Sequence, residues 1–213
     1  MQKTGVRREG VRIKADNAKK MRCKTLIAVL EQPKYTLDKN FNIGTIIRNC
    51  DALGIGKLYI ICNDTRTWDQ LRTDKHLNAT AMSAQKWVYI RTFPTTQACL
   101  DHLSKKRFKS IVTSPHVKSQ NNYILTENCP LYTSGHLAIW FGNETTGVSD
   151  EIVQKADGCL QIPMNGFVES FNLATTTGIV LHHIANIRRE YSSNKLKQKM
   201  SQSANSYKRK YDA

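Results

Sequence analysis

The sequence predicts an α/β fold built on a mostly parallel sheet, and three observations carry that prediction. Six runs of strand length are apolar at consecutive positions, as expected of strands covered on both faces. Segments with helical apolar periodicity lie between several of them, which is the α/β order. A chain of 213 residues is long enough for one substantial core and short of what two ordinary domains need. With 40% hydrophobic residues, 11 Gly and 5 Pro, the composition excludes a disordered or collagen-like chain.

The elements follow in order. Leu26 to Leu30 is the first strand. Ile43, Ile46, Ile47, Cys50 and Leu53 then recur at i, i+3, i+4, i+7 and i+10, one face of a helix that Asn42 is suited to cap and Gly54 to end. Leu58 to Cys62 and Trp87 to Ile90 are strands, a helix fits 95–106, and Ser110 to Thr113 and Leu137 to Phe141 are strands again. A helix over 149–156 takes Ser149 as its cap, with Asp150 and Glu151 favouring the positive end of its dipole. Cys159 to Ile162 is the last strand, and 170–190 the last helix, its apolar stripe giving way to Arg188 and Arg189. Beyond 190 only Leu196 and Met200 are clearly apolar, so that stretch reads as a tail or a marginal helix ordering on a partner.

Charge is concentrated at the ends. The chain carries +15; residues 1–24 hold nine basic and two acidic side chains, and 186–213 hold eight and two. A basic pair of ends around a nearly neutral body points to a polyanion, and to nucleic acid before membrane because the basic runs lack a bulky apolar face. The six cysteines, at 23, 50, 62, 99, 129 and 159, form no C-x-x-C pair and no regular spacing, which disfavours zinc and a disulfide framework. Four lie in apolar stretches, the usage of a reducing, intracellular compartment. No secretory or membrane-spanning run is evident.

Three familiar motifs fail on inspection. Gly54-Ile55-Gly56 precedes a strand and lacks a third glycine, so it is no dinucleotide fingerprint. Gly142 to Gly147 has phosphate-loop spacing, but Val148-Ser149 stands where Lys-Ser/Thr is required. His182 and His183 are helix neighbours pointing about 100° apart, a poor start for a metal site.

Three other stretches hold polar residues without an obvious structural use. They are Asn42 to Gly54 (N-x5-R-x2-D-x2-G), Gly142 to Gly147 (G-N-E-x2-G) and Ile162 to Asn172 (I-P-M-x-G-x3-S-x-N). Together and in this order they resemble the three motifs of the SpoU (TrmH) family of RNA ribose methyltransferases, in the SPOUT class, and the resemblance covers roughly 25–185. Ser83 to Val88 and the surroundings of Met164 are most similar to members that methylate a D-loop guanosine of tRNA. Methylation of ribosomal RNA, or a catalytically silent RNA-binding protein on the same fold, are the alternatives.

The resemblance implies a parallel-sheet SPOUT methyltransferase fold over 25–190 with a C-terminal deep trefoil knot, flanked by basic extensions at 1–24 and 191–213. It further implies a cytoplasmic homodimer that uses S-adenosylmethionine and no metal, acting on RNA, with tRNA foremost. Thr113, Gly142, Ile162 and Phe171 would surround the cofactor, Phe171 standing where the family usually has Leu. The catalytic set would be Arg48, Asn42, Glu144, Ser170 and Asn172. Arg48 would act on the 2′-hydroxyl; because a guanidinium stays protonated, orienting the hydroxyl and a phosphate is the easier role. Glu144 would pair with Arg48 or a loop amide, and Asn172 would hold the cleft or the ribose; by its position opening the last helix, Ser170 is as well suited to cap that helix as to serve the site.

Overall fold

A computed structural model of the chain describes residues 23–31, 37–62, 68–116, 121–126 and 128–211. The expected N-terminal extension lies outside the described residues apart from positions 23 and 24, as do residues 212 and 213 of the expected tail. Seven strands form one parallel sheet: β1 Cys23–Glu31, β2 Ile55–Ile61, β3 Tyr89–Phe93, β4 Lys109–Thr113, β5 Asn122–Ile124, β6 Leu137–Phe141 and β7 Gly158–Gln161. Their spatial order is β3-β2-β1-β6-β4-β7-β5. β6 pairs with β1 from Leu26↔Leu137 to Leu30↔Phe141, and with β4 from Lys109↔Leu137 to Val112↔Trp140.

Among the described residues six helices cover the sheet: α1 Leu37–Leu53, α2 Trp68–Leu71, α3 Lys75–Ala81, α4 Thr96–Lys105, α5 Asp150–Lys155 and α6 Leu173–Tyr211. Alternate strand residues feed two cores, which is why the strands are apolar throughout. Leu26, Ala28, Leu30, Leu58, Ile60, Ile139 and Phe141 pack in one core with α1, α3 and α6. Ile27, Val29, Tyr59, Ile61, Val112 and Trp140 pack in the other with α4 and α5.

All six expected strands are present: those at 110–113, 137–141 and 159–162 fall within one residue of their place, and the other three each have an end shifted by three. Trp87 lies outside a strand, after a 3₁₀ turn at Ala84–Lys86, and β3 starts at Tyr89. Helix α1 starts at Leu37, so Asn42 is inside the helix and does not cap it; its end at Gly54, with φ of 75°, is where the sequence put it. Ser149 occupies the cap position of α5, but its side chain makes no capping bond because the hydroxyl donates to Glu31. The stretch after 190 continues α6 as helix to Tyr211.

The last helix is fixed at mid-length by a buried cation. Arg188 Nη1 donates to Tyr132 O (2.7 Å) and Ser134 O (2.9 Å), and Nη2 to Thr25 Oγ1 (2.8 Å) and Gly135 O (3.0 Å). The six cysteines are free and all but Cys23 are buried, with burial pushing the Cys99 and Cys129 thiols up. Among the described residues no helix is long and apolar enough to cross a membrane.

Candidate active site

A cavity of about 330 Å³ opens at the C-terminal ends of β4, β6 and β7, the end of an α/β sheet where ligand sites gather. Its second wall is the segment running from β7 into α6. Thr113, Gly142, Ile162 and Phe171 all line it, together with Glu144 and Ser170 from the expected catalytic set. The volume lies at the low end of the ~300–1,000 Å³ typical of small-molecule sites.

The loop after β6 is shaped by two residues. Asn143 is buried; its Oδ1 accepts from Thr145 N and Thr146 N at 2.9 Å each, and its backbone bridges to that of Gly147. This fold-back brings the loop so close to the strand end that a Cβ on Gly142 would lie 1.9 Å from the Gly147 carbonyl carbon and 2.1 Å from Val148 N. Only glycine fits there. Glu144 is thereby left exposed on the rim.

The three motifs meet in a chain of side-chain hydrogen bonds. Asn172 Nδ2 donates to Asn42 Oδ1 (3.1 Å), and Asn42 Nδ2 donates to Glu144 Oε1 (2.5 Å). Asn172 also caps α6, its Oδ1 accepting from Ala174 N at 2.9 Å while its carbonyl accepts the first helical bond, from Thr176 N. Two expectations are thus corrected. Asn172 rather than Ser170 is the cap, because the helix begins at Leu173 and Ser170 lies two residues too early to bond its first turn. Glu144 pairs with Asn42 and not with Arg48.

Arg48 is exposed and forms no hydrogen bond or ion pair with the described residues. It sits six residues beyond Asn42 on α1, and its neighbour Asn49 ties that helix to the start of α6 through Nδ2 to Ala174 O at 3.0 Å. The guanidinium is therefore carried on a helix anchored at both flanks and is free to meet an anion.

One residue of this region is absent from the sequence reading. Glu31, buried at the end of β1, accepts from Ser149 N and Ser149 Oγ at 2.7 Å each and from Thr96 Oγ1. It thus ties the far end of the loop after β6 to the first turn of α4. Its signal was an acidic residue directly after an apolar strand, a placement that demands a buried partner. Among the described residues no three His, Cys, Asp or Glu side chains are grouped to hold a metal ion.

The model described as SpoU rRNA Methylase family matches residues 26–182. The tRNA (guanosine(18)-2′-O)-methyltransferase of Borreliella burgdorferi is 27% identical over 143 residues, 67% of this chain and 60% of that protein. Its counterpart in Thermus thermophilus is 29% identical over 143 residues, 67% of each chain. That of Aquifex aeolicus is 29% identical over 176 residues, 79% of this chain and 78% of that one. The chain thus spans about 60–67% of the length of the first two. The crystal structure of the A. aeolicus TrmH/SpoU tRNA modifying enzyme superposes with a TM-score of 0.68 at 27% identity, covering 85% of both chains. AviRb from Streptomyces viridochromogenes, in complex with AdoMet, superposes with a TM-score of 0.65 at 21% identity over 79% of this chain and 62% of that one, a likeness of fold.

Proposed function

This chain belongs to the SpoU rRNA methylase family, and from that premise we propose that it is an S-adenosylmethionine-dependent RNA 2′-O-ribose methyltransferase whose substrate is a D-loop guanosine of tRNA. The observation that carries the reading is the Asn172–Asn42–Glu144 chain, which joins all three motifs at the rim of the cavity. The tRNA substrate is supported by the curated relatives, which are tRNA (guanosine(18)-2′-O)-methyltransferases.

The cavity suits the cofactor in size and in walls, with the steric demand at Gly142 leaving a groove of backbone groups and Phe171 adding an apolar face. When bound, S-adenosylmethionine supplies an electrophilic methyl on a sulfonium. The chain's own residues do the rest by positioning. The Asn143 turn holds the cavity wall, and Asn42 and Asn172 fix the rim. Arg48 orients the 2′-hydroxyl and a neighbouring phosphate; as the oxygen bonds to the methyl its proton passes to that phosphate, and the guanidinium lowers the cost of the developing negative charge.

Further parts of the reading have narrower support. The C-terminal part of the domain threads as a deep trefoil knot, which the placement of β6 between β1 and β4, and of β7 between β4 and β5, supports. The protein works as a homodimer; Phe167, Val168 and Phe171 are exposed together beside the cavity and would be covered by a second copy. Free cysteines support a cytoplasmic location. The basic segments 1–24 and 191–213 bind RNA. The experiment is incubation of whole tRNA and, in a parallel reaction, of ribosomal RNA with labelled S-adenosylmethionine, followed by alkaline digestion. An alkali-resistant dinucleotide containing 2′-O-methylguanosine is expected. Label in ribosomal RNA alone moves the substrate, and label in no RNA removes the activity.

A further inference from the structure

We propose that Phe41 and His76 form a stacking subsite for an unpaired nucleobase next to the ribose presented to Arg48. The inference rests on the reading above for the presence of RNA at Arg48, and adds how this chain holds it.

Phe41, Thr45 and Arg48 fall at i, i+4 and i+7 of α1, so they share one face of the helix. Two turns, about 10 Å along the axis, separate the ring from the guanidinium. That is within the reach of one nucleotide from its neighbour. Phe41 is 43% exposed although it adjoins Asn42, whose side chain joins the rim of the cavity. Its ring meets the exposed His76 ring edge-on, with centroids 5.1 Å apart and planes at 62°. An edge-on pair leaves ring faces open to a third planar group, and base–aromatic stacking is tolerant of which base arrives.

The pair is held from the backbone up. A Cβ on Gly44 would lie 1.9 Å from Thr80 Oγ1 and 2.6 Å from Leu77 O, so α1 and α3 touch directly three residues beyond Phe41. At the start of α3, Asp74 Oδ1 accepts from His76 N and Leu77 N at 2.9 Å each, which fixes the position of His76. Both rings are exposed and neither belongs to a hydrophobic core of the molecule. A subsite for a planar ligand needs this rigidity.

Two arms of one experiment on the full-length protein test this. The first is methyl transfer to a whole tRNA transcript, with KM for RNA, kcat and the dissociation constant of S-adenosylmethionine measured separately. The second is fluorescence quenching of a single-stranded oligoribonucleotide carrying 2-aminopurine, which reports stacking whether or not methyl is transferred. Phe41→Ala and Phe41→Leu should raise KM for RNA about 5- to 150-fold, the equivalent of ~1–3 kcal/mol of stacking, and abolish the quench. Affinity for S-adenosylmethionine should not change, and Phe41→Tyr should restore both signals. Phe41→Leu keeps the apolar contact between the helices, so wild-type behaviour in that variant on both arms overturns the subsite. A quench that depends on Phe41 in a protein that methylates no RNA supports the subsite and defeats the activity alone.

Discussion

Arg48 and Asn172 illustrate how one side chain's surroundings set what its removal should do. Arg48 is exposed and makes no hydrogen bond or ion pair with the described residues, so Arg48→Ala should leave thermal stability and cofactor affinity unchanged while kcat falls roughly 10²–10⁴-fold. Steady-state kinetics beside a cofactor titration check this. Asn172 has two jobs on two atoms: Oδ1 caps α6 and Nδ2 holds Asn42. Asn172→Asp keeps the acceptor and loses the donor, so it should melt close to wild type and still lose activity. Asn172→Ala should also lose about 1 kcal/mol of stability with the cap. Melting curves and activity measured on both variants separate the two roles. A third residue gives a pH signature. His102 lies by Tyr59 and Phe93, and burial, then Arg91, Lys106, Lys57 and Lys105, hold its imidazole below the usual histidine range. Charging it is thus harder in the folded state. Its contribution is complete above about pH 6.5 and is lost as pH falls below that value. Denaturant titrations from pH 7 to 5 should show a shallower acid decline in His102→Gln than in the wild type.

Elements show where local pattern suffices and where it does not. β6 was legible to the residue, because a central strand covered on both faces is apolar at every position from Leu137 to Phe141. β5 was not: Asn122–Ile124 is a three-residue edge strand whose pairing with β7 comes from the backbone and leaves no apolar run. Helix α3 was missed for a related reason, since only Leu77 and Ala81 of its seven residues are buried. The start of α1 was misread because Asn42 has the chemistry of a cap, yet tertiary bonds to Glu144 and Asn172 claim its side chain. The candidate site was legible as three motifs, but the Asn172–Asn42 contact spans 130 residues and no spacing rule contains it. At this scale the loop after β6 offers the sharpest test. Gly142→Ala forces the Gly147–Val148 backbone away, so S-adenosylmethionine binding should disappear in calorimetry even where the protein remains folded.

For the whole molecule, charge placement is the property that matters most for RNA. If six to ten phosphates are engaged, affinity should drop by about 10³–10⁵ between 50 and 200 mM salt. Deleting 1–20 and 191–213 should flatten that slope without altering cofactor affinity. A slope identical to the full chain's would assign the ends to solubility alone. The sheet order has its own consequence for how the molecule is made. β6 sits between β1 and β4, yet both are synthesised before it, and its register with β1 joins residues more than 100 positions apart. While the chain is still emerging from the ribosome, β1 and β4 therefore show open, apolar edges to everything around them. Biogenesis has a vulnerable interval that closes only when the segment through Phe141 slots into the gap and β7, through Gln161, covers the other edge of β4, so shielding of the nascent chain counts for more here than in folds assembled from neighbours in sequence.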